Sequence, residues 1–332
     1  MKRVIVTGAT GFVGANVARR LIADGHDVTL FVRADSDRWR LSGIEKDARL
    51  VDLHLDDYAA VLAAVGAARP DWVFHLAVHG AYSWQTDWQR MVSTNVVGTM
   101  NLVEACLKTG FSAFVNTGSS SEYGFKDHAP SEDEFVDPNS YYAVTKANAT
   151  QYCRFIARDR QVNLTTLRLY SVFGPYEDPN RLVPTVLVRG LDGELPPLVD
   201  PSVARDYIHV DDVVDAYLQV ATTAGIEPGA VFNIGTGVQT SIASVVEIAR
   251  RRLGIAVQPS WGSMENRRWD TSIWVADTKV MRAATGFSPK LSFEEGFARF
   301  AQWIAGEPAR RAYYAERIPG ARSASGLAGP KA

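Results

Sequence analysis

Apolar positions along the first two thirds of this chain alternate between two periods. Short β-branched runs read as buried strands: Arg3–Thr7, Val28–Val32, Arg49–Asp52, Trp72–Leu76, Ala113–Thr117 and Leu164–Leu169, with a seventh, Val231–Ile234, arriving late. Between them apolar residues recur at helical spacing over Val13–Ala23, Tyr58–Val65, Thr94–Lys108 and Ala143–Arg158. Strand, helix and strand in repetition predict an α/β fold, a doubly wound parallel sheet covered by helices on both faces. The pattern loosens after Gly174, where Pro175, Pro179, Pro184, Pro196, Pro197 and Pro201 interrupt it. Residues 1–173 and 206–234 are therefore expected to form the sheet domain. Residues 174–205 and 235–305 are expected to form a smaller, interleaved α/β lobe over the carboxyl edge of the strands. Residues 306–332, rich in Ala, Arg, Gly and Ser, read as a frayed or weakly docked tail.

Composition narrows the function by exclusion. The 332 residues carry a formal net charge of −2, with 46% hydrophobic and 22% charged positions. Such a balance makes no electrostatic case for nucleic acid or an anionic membrane. Any anionic ligand must be held by a few placed arginines or lysines. No run approaches the ~20 apolar residues of a membrane span, and the N-terminus enters a strand at once, so a cytoplasmic protein is expected. The two cysteines, Cys106 and Cys153, fall in helical apolar patterns and read as reduced packing residues. No metal site is expected.

The segment VIVTGATGFVGANVARRLIADG is a strand, a glycine turn and a helix. Gly8 permits the tight turn, Gly11 lets backbone approach a pyrophosphate at the helix N-terminus, and Gly14 lets helix pack on strand. The adjoining Phe12 and Val13 complete this cofactor loop. The spacing is GxxGxxG rather than GxGxxG, and its place after an N-terminal buried strand points to a dinucleotide on a Rossmann-type sheet. The second strand selects which one. An acidic residue at its end would bond a ribose hydroxyl; here Val32 stands there and Arg33 follows. Arg33, with Ser36 adding a hydroxyl, suits a 2′-phosphate and favours NADP(H) over NAD(H). The alternative is a solvated Arg33 with Asp35 on the ribose.

Tyr142 and Lys146 lie four apart in YYAVTK, hence on one helix face. A free phenol is a poor acid or base at neutral pH, and a neighbouring ammonium would bring its pKa down. Tyr142 could then move a hydroxyl proton while a nicotinamide moves a hydride. Tyr141, five before Lys146, faces elsewhere and reads as a packing or pocket residue. The hydroxyl-rich stretch NTGSSSEYG, residues 116–124, stands at a strand end where Ser120 and its neighbours could bond substrate or cap a turn.

At this point the chain resembles the extended short-chain dehydrogenase/reductase family, which comprises nucleotide-sugar epimerases, dehydratases and reductases. The resemblance runs in order through TGATGFVG, HLAV, Asn95 in STNVVGT, SSSEYG, YYAVTK, RLYSVFGP, ARDYIHVDD, FNIGTG and RRWD, over roughly residues 3 to 300. It implies Ser119, Tyr142 and Lys146 as the catalytic set, and Asp52, Leu53, Leu76 and Ala77 around the cofactor. It implies Arg205 and either Arg267 or Arg268 on a substrate diphosphate. It also implies a homodimer through the helices at Thr94–Lys108 and Tyr142–Arg158. His79 and Arg181 are further candidates for substrate contact.

Two departures bear on the reaction. Family dehydratases carry a Glu two before the YG tyrosine; that position is Ser121 here, with Glu122 one later, on the alternate side of an extended strand, which disfavours dehydration. The family asparagine of RxxN is replaced by Ser171. The loop GSSSEYG looks most like reductases of 4-keto-6-deoxy nucleotide sugars, and Arg33 agrees with an NADPH-dependent reduction. A 4-epimerase and then a 4,6-dehydratase are the alternatives; a non-sugar ketone reductase or a silent cofactor-binding regulator lies outside the class.

Overall fold

The computed structural model describes residues 1–82, 84–265 and 273–319. The chain runs β1 (Arg3–Thr7), α1 (Phe12–Ala23), β2 (Asp27–Val32), β3 (Arg49–Asp52), α2 (Tyr58–Ala68) and β4 (Trp72–His75). A short α3 (Trp88–Met91) passes through a π-helical turn at Val92–Val97 into α4 (Gly98–Thr109). Then come β5 (Ala113–Ser119), α5 (Tyr141–Arg160), β6 (Leu164–Leu169), β7 (Ser171–Phe173), α6 (Leu182–Gly190), β8 (Ala204–His209) and α7 (Val210–Thr222). The remainder is β9 (Val231–Ile234), β10 (Gln239–Ser241), α8 (Ile242–Leu253), α9 (Lys279–Thr285), α10 (Phe293–Ala305) and α11 (Pro308–Arg317).

The large sheet has seven strands in the order β3-β2-β1-β4-β5-β6-β9. All its neighbouring pairs are parallel. One face packs on Val17, Leu21, Val213 and Tyr217 of α1 and α7. The other packs on Val61, Val65, Leu102, Val103, Cys106, Cys153 and Ile156 of α2, α4 and α5. Burial on both faces explains why these strands read as continuous apolar runs, each fully buried side chain contributing about 1.5–3 kcal/mol. The strand order reverses between β1 and β4, which opens a crevice at their carboxyl ends. Both cysteines are free and buried, and burial pushes the Cys153 thiol up to about 12.

A second sheet, β10-β8-β7, pairs β7 with β8 in parallel and β8 with β10 antiparallel. Residues 206–209, expected in the large sheet domain, are strand residues of this small one. A third apolar cluster joins Phe173, Val186, Phe297, Phe300 and Tyr314. The expected frayed tail does not hold for residues 308–317, which form α11. Tyr314 is fully buried there and donates a hydrogen bond of 2.7 Å to the Glu177 carbonyl. The Arg310 guanidinium lies 4.0 Å over the Trp303 ring and that of Arg317 lies 3.7 Å over Tyr313. Aromatic surface supplied by Trp39 and Trp303 is what docks this polar-looking helix. Among the described residues no helix is long and apolar enough to cross a membrane.

Candidate active site

The crevice is built by small residues that permit close approach. Gly8 has φ +71°, and a Cβ there would strike the Leu76 and Ala77 backbone across the switch point. A Cβ on Gly14 would run into the Gly8 carbonyl. The loop is cross-braced by Thr7, whose Oγ1 accepts the N–H groups of Leu76 and Ala77 at 3.2 and 3.1 Å. That hydroxyl also meets His75 Nδ1 at 2.7 Å, and Thr99 Oγ1 meets Nε2 at 2.8 Å. Burial pushes the His75 pKa down to about 3, so this imidazole stays neutral and structural. Helix α1 begins at Gly11 with no side-chain cap and no acidic residue in its first turn. Uncapped N–H groups in a glycine cradle fit a pyrophosphate, and the site therefore fits a dinucleotide.

The ribose end is more occupied than its sequence implies. Arg33 Nε donates to Asp35 Oδ1 at 3.0 Å, and Arg90 stands 3.6 Å from Oδ2. The two guanidinium groups hold the Asp35 carboxyl below its usual range, Arg33 most strongly. The Ser36 hydroxyl donates 2.6 Å to the Arg33 carbonyl and closes a turn. Asp52 pairs with Arg38, and Leu53 is buried under the β2–β3 edge. His79 is bound through its backbone to Asn95, which accepts from His79 N–H and donates to His79 O, both at 2.8 Å. Burial lowers the His79 pKa, helped by the Arg90 and Arg33 charges.

The reactive groups meet where β5 ends. Ser119 caps a 3-10 turn over Ser120–Tyr123, and Tyr142, in the first turn of α5, is hydrogen-bonded to Ser119. Lys146, one turn on, is buried. Tyr141 is 69% exposed and takes no part. The expected lowering of Tyr142 by Lys146 is not the dominant effect. Burial pushes the phenol up, the Ser119 hydrogen bond and the Arg181 charge draw it down, and the Glu122 carboxylate raises it further. Lys146 is lowered by burial and raised by the same Glu122 carboxylate. Helical spacing places the two on one face, and burial acts most strongly on both, pushing the phenol up and the ammonium down, with Glu122 favouring the protonated form of each.

Arg181 reaches the pocket from the N-cap of α6, 3.8 Å from Glu177 Oε1. Glu177 is buried, its Oε2 lacks a hydrogen-bond partner among the described residues, and burial pushes its pKa up to about 8. Arg205 leaves β8 with its guanidinium 5.4 Å over the Trp274 ring, and Trp274 Nε1 donates 3.1 Å to Ser120 Oγ. A chain of contacts thus joins the arginine to the catalytic loop. Ser171 is half-buried in β7. Arg267 and Arg268 lie outside the described residues. Sequence reasoning gave no individual role to Tyr82 or Arg90, and read Trp274 only as part of RRWDTSIW, packing over the nucleotide or filling the small lobe's core. Only Trp274 had a signal, its place in a Trp-rich stretch. Glu122 is not on an extended strand: it sits in the 3-10 turn, fully buried, and its capping box with Ser119 was legible as S-x-x-E.

Residues 4–235 match the model of the NAD dependent epimerase/dehydratase family. A UDP-glucose 4-epimerase of Mycolicibacterium smegmatis is 31% identical over 91% of this chain and 98% of its own length. Among solved structures, a UDP-glucose 4-epimerase of Thermotoga maritima with UDP-glucose superposes with a TM-score of 0.82 at 28% identity, over 91% of this chain and 98% of that one. The Thermus thermophilus UDP-glucose 4-epimerase complexed with NAD gives 0.81 at 26% identity, over 92% and 99%. The chain belongs to the NAD dependent epimerase/dehydratase family.

Proposed function

We propose that this protein is a nucleotide-sugar 4-epimerase that retains NAD(H) through a closed redox cycle. The observation that carries the reading is the direction of Glu122. It is the sole carboxylate between Ser119 and Tyr123, and it points inward onto Arg168 at 2.9 Å. The loop offers the sugar hydroxyl groups and no acid, which supports redox chemistry at C4 without elimination of water. The relationship to UDP-glucose 4-epimerases supports this over the 4-keto reductase that the loop sequence alone suggests. The Arg33–Asp35 pair supports it too: a guanidinium already held by a carboxylate is a poorer seat for a 2′-phosphate.

Bound in the crevice, the dinucleotide supplies a hydride acceptor that also serves as donor. Tyr142 takes the proton from the C4 hydroxyl and returns one to the same oxygen when the sugar presents its other face. Ser119 bonds that oxygen and orients the phenol. Lys146 holds positive charge beside the developing phenolate. Arg205 and Arg181 hold the diphosphate, so the sugar can turn while its nucleotide stays anchored. A homodimer would cover the exposed apolar positions Val97 of the π-helical turn, Met100 of α4 and Val144 and Phe155 of α5.

The test is the dinucleotide released on denaturing freshly purified protein, followed by incubation with UDP-glucose or UDP-glucuronate without added cofactor. Near-stoichiometric NAD(H) and formation of the C4 epimer are expected. Turnover only with a 4-keto sugar and consumed NADPH would return the reaction to the reductase, a reading kept in play by Arg33. In that case Arg33→Ala weakens NADP(H) far more than NAD(H). Tyr142→Phe should abolish turnover and leave dinucleotide binding in place; retained turnover removes Tyr142 from the mechanism.

A further inference from the structure

The connection from β7 to α6 carries three successive carbonyls, and each accepts a side-chain donor from a different part of the fold. Pro175 O accepts Asn16 Nδ2 of α1 at 2.9 Å. Tyr176 O accepts Arg40 Nε at 2.7 Å, from the 3-10 turn Trp39–Leu41 between β2 and β3. Glu177 O accepts the Tyr314 hydroxyl of α11 at 2.7 Å. Two of these donors also hold the cofactor cradle. Arg40 Nη1 donates to the carbonyl of Thr10, inside the glycine loop, at 3.3 Å, and Asn16 Nδ2 donates to the Phe12 carbonyl at the start of α1 at 3.0 Å. Arg40 is itself held in place, since Arg19 Nη2 donates to its carbonyl at 2.9 Å and to that of Ser42 at 2.7 Å. We infer that residues 175–177 are a strap, locked by Arg40 as its positioning residue, that holds the glycine loop in the shape that grips the pyrophosphate and sets how slowly the dinucleotide leaves.

The backbone of the strap is not one that its residues adopt freely. Tyr176 has φ +71°, a left-handed conformation that a bulky side chain keeps only where its surroundings over-determine it. Here they do. The Arg19 guanidinium lies 4.3 Å over the Tyr176 ring, and the Trp303 and Trp39 rings flank it at 4.7 and 5.8 Å. The Arg40 guanidinium lies 4.5 Å over the Trp39 ring, so lock and strap share one aromatic wall. The strain is retained at the point where the strap meets Arg40. Bonds from a guanidinium are charge-assisted and stronger than neutral ones. Any movement of the glycine loop away from the small lobe has to break them or let Tyr176 turn over. A closed redox cycle needs such a restraint. The hydride taken from C4 must return to the same sugar, so the reduced dinucleotide has to outlast the turn of the keto sugar. Its escape between the two halves leaves the sugar oxidised and carries the electrons away on the released cofactor.

The inference rests on the dinucleotide site used by the proposed epimerase, but its test needs no sugar nucleotide. The bound dinucleotide is exchanged for NADH, the protein is chased with excess NAD⁺, and the loss of bound-NADH fluorescence gives the release rate. Arg40→Met keeps the stem over Trp39 and removes both bonds; release should be about tenfold faster, a change of about 1.4 kcal/mol. Arg40→Lys, whose ammonium can serve one carbonyl, should fall between. Tyr176→Gly leaves every charge in place while removing the strain and the clamped ring together, and should also speed release severalfold. Release unchanged in folded Arg40→Met, whatever its Tm, makes the residue merely structural and overturns the inference. Fast release in Arg40→Met beside unchanged release in folded Tyr176→Gly overturns it too, since Arg40 would then act on the phosphates directly. Should Arg40→Met fail to fold, Asn16→Ala cuts the Pro175 link instead; faster release supports the strap and an unchanged rate overturns it. A protein that holds NADH by this strap but epimerises nothing loses the proposed reaction and keeps the strap, and the same chase with NADPH serves if that is the dinucleotide it carries.

Discussion

Replacing Glu177 by Gln should stabilise the protein, and by an amount that grows with pH. The Glu177 carboxyl is buried at the start of the small lobe, where burial raises it from its ordinary 4.5 to about 8. Arg181 at 3.8 Å and the Gly174 N–H oppose the rise but do not cancel it. A carboxyl whose folded pKa lies above its unfolded one binds a proton more tightly when folded. Stability is therefore unaffected below about pH 4.5, falls as pH rises between the two values, and levels off above 8. At 1.36 kcal/mol for each pH unit, the cost of ionisation is ~1.4 kcal/mol at pH 5.5 and ~4 kcal/mol at pH 8. Gln cannot ionise and keeps a similar shape. The difference in unfolding free energy between Glu177→Gln and the parent should thus widen by roughly 3 kcal/mol between these pH values. Arg181 is nearly half exposed, so losing its partner subtracts well under 1 kcal/mol. Thermal unfolding followed by near-ultraviolet circular dichroism should show the Tm gap opening by about 5 °C over that range. A gap that stays constant with pH, or narrows, would refute the account of Glu177 as a carboxyl held protonated by burial.

Two further outcomes follow from packing. Gly14→Ala should cost the protein its dinucleotide, because the added methyl meets the Gly8 carbonyl and must push the cradle open; undiminished binding by calorimetry would show that the loop yields at no cost. Tyr314→Ala should lower stability by about 3–5 kcal/mol in urea denaturation, since the ring is fully enclosed by Trp39, Phe300 and Trp303 and its hydroxyl is bonded to Glu177 O; a loss under 1 kcal/mol would mean that α11 is only loosely docked.

The parts of this molecule that were legible in its sequence are those whose cause is local. All seven strands of the large sheet were placed to within two residues at either end, because burial on both faces demands unbroken β-branched runs. The glycine loop was legible for a similar reason: Gly8 and Gly14 answer to backbone contacts within a few residues or across one strand. The small sheet was not. Its strands hold three to six residues, and β8 mixes Arg, Asp and His with Tyr and Ile, so no alternation marks it. Helix α11 was misread because its composition is that of a tail, and the aromatic surface that holds it comes from distant Trp39.

The sequence by itself determined the α/β sheet and the glycine turn of the crevice, since periodicity and glycine stereochemistry suffice for these, while Ser119 was joined to Tyr142 only through the family resemblance. Tertiary structure alone decided which charges face one another. Asp35 holds Arg33, Arg181 reaches Tyr142 from another lobe, and Glu122 turns under its loop to Arg168 on the neighbouring strand. Charge acts through space over several ångströms and depends on burial, which spacing along a chain does not encode. The candidate reactive positions were therefore readable from motif and spacing, while the charges and burial around them come from residues brought together only on folding.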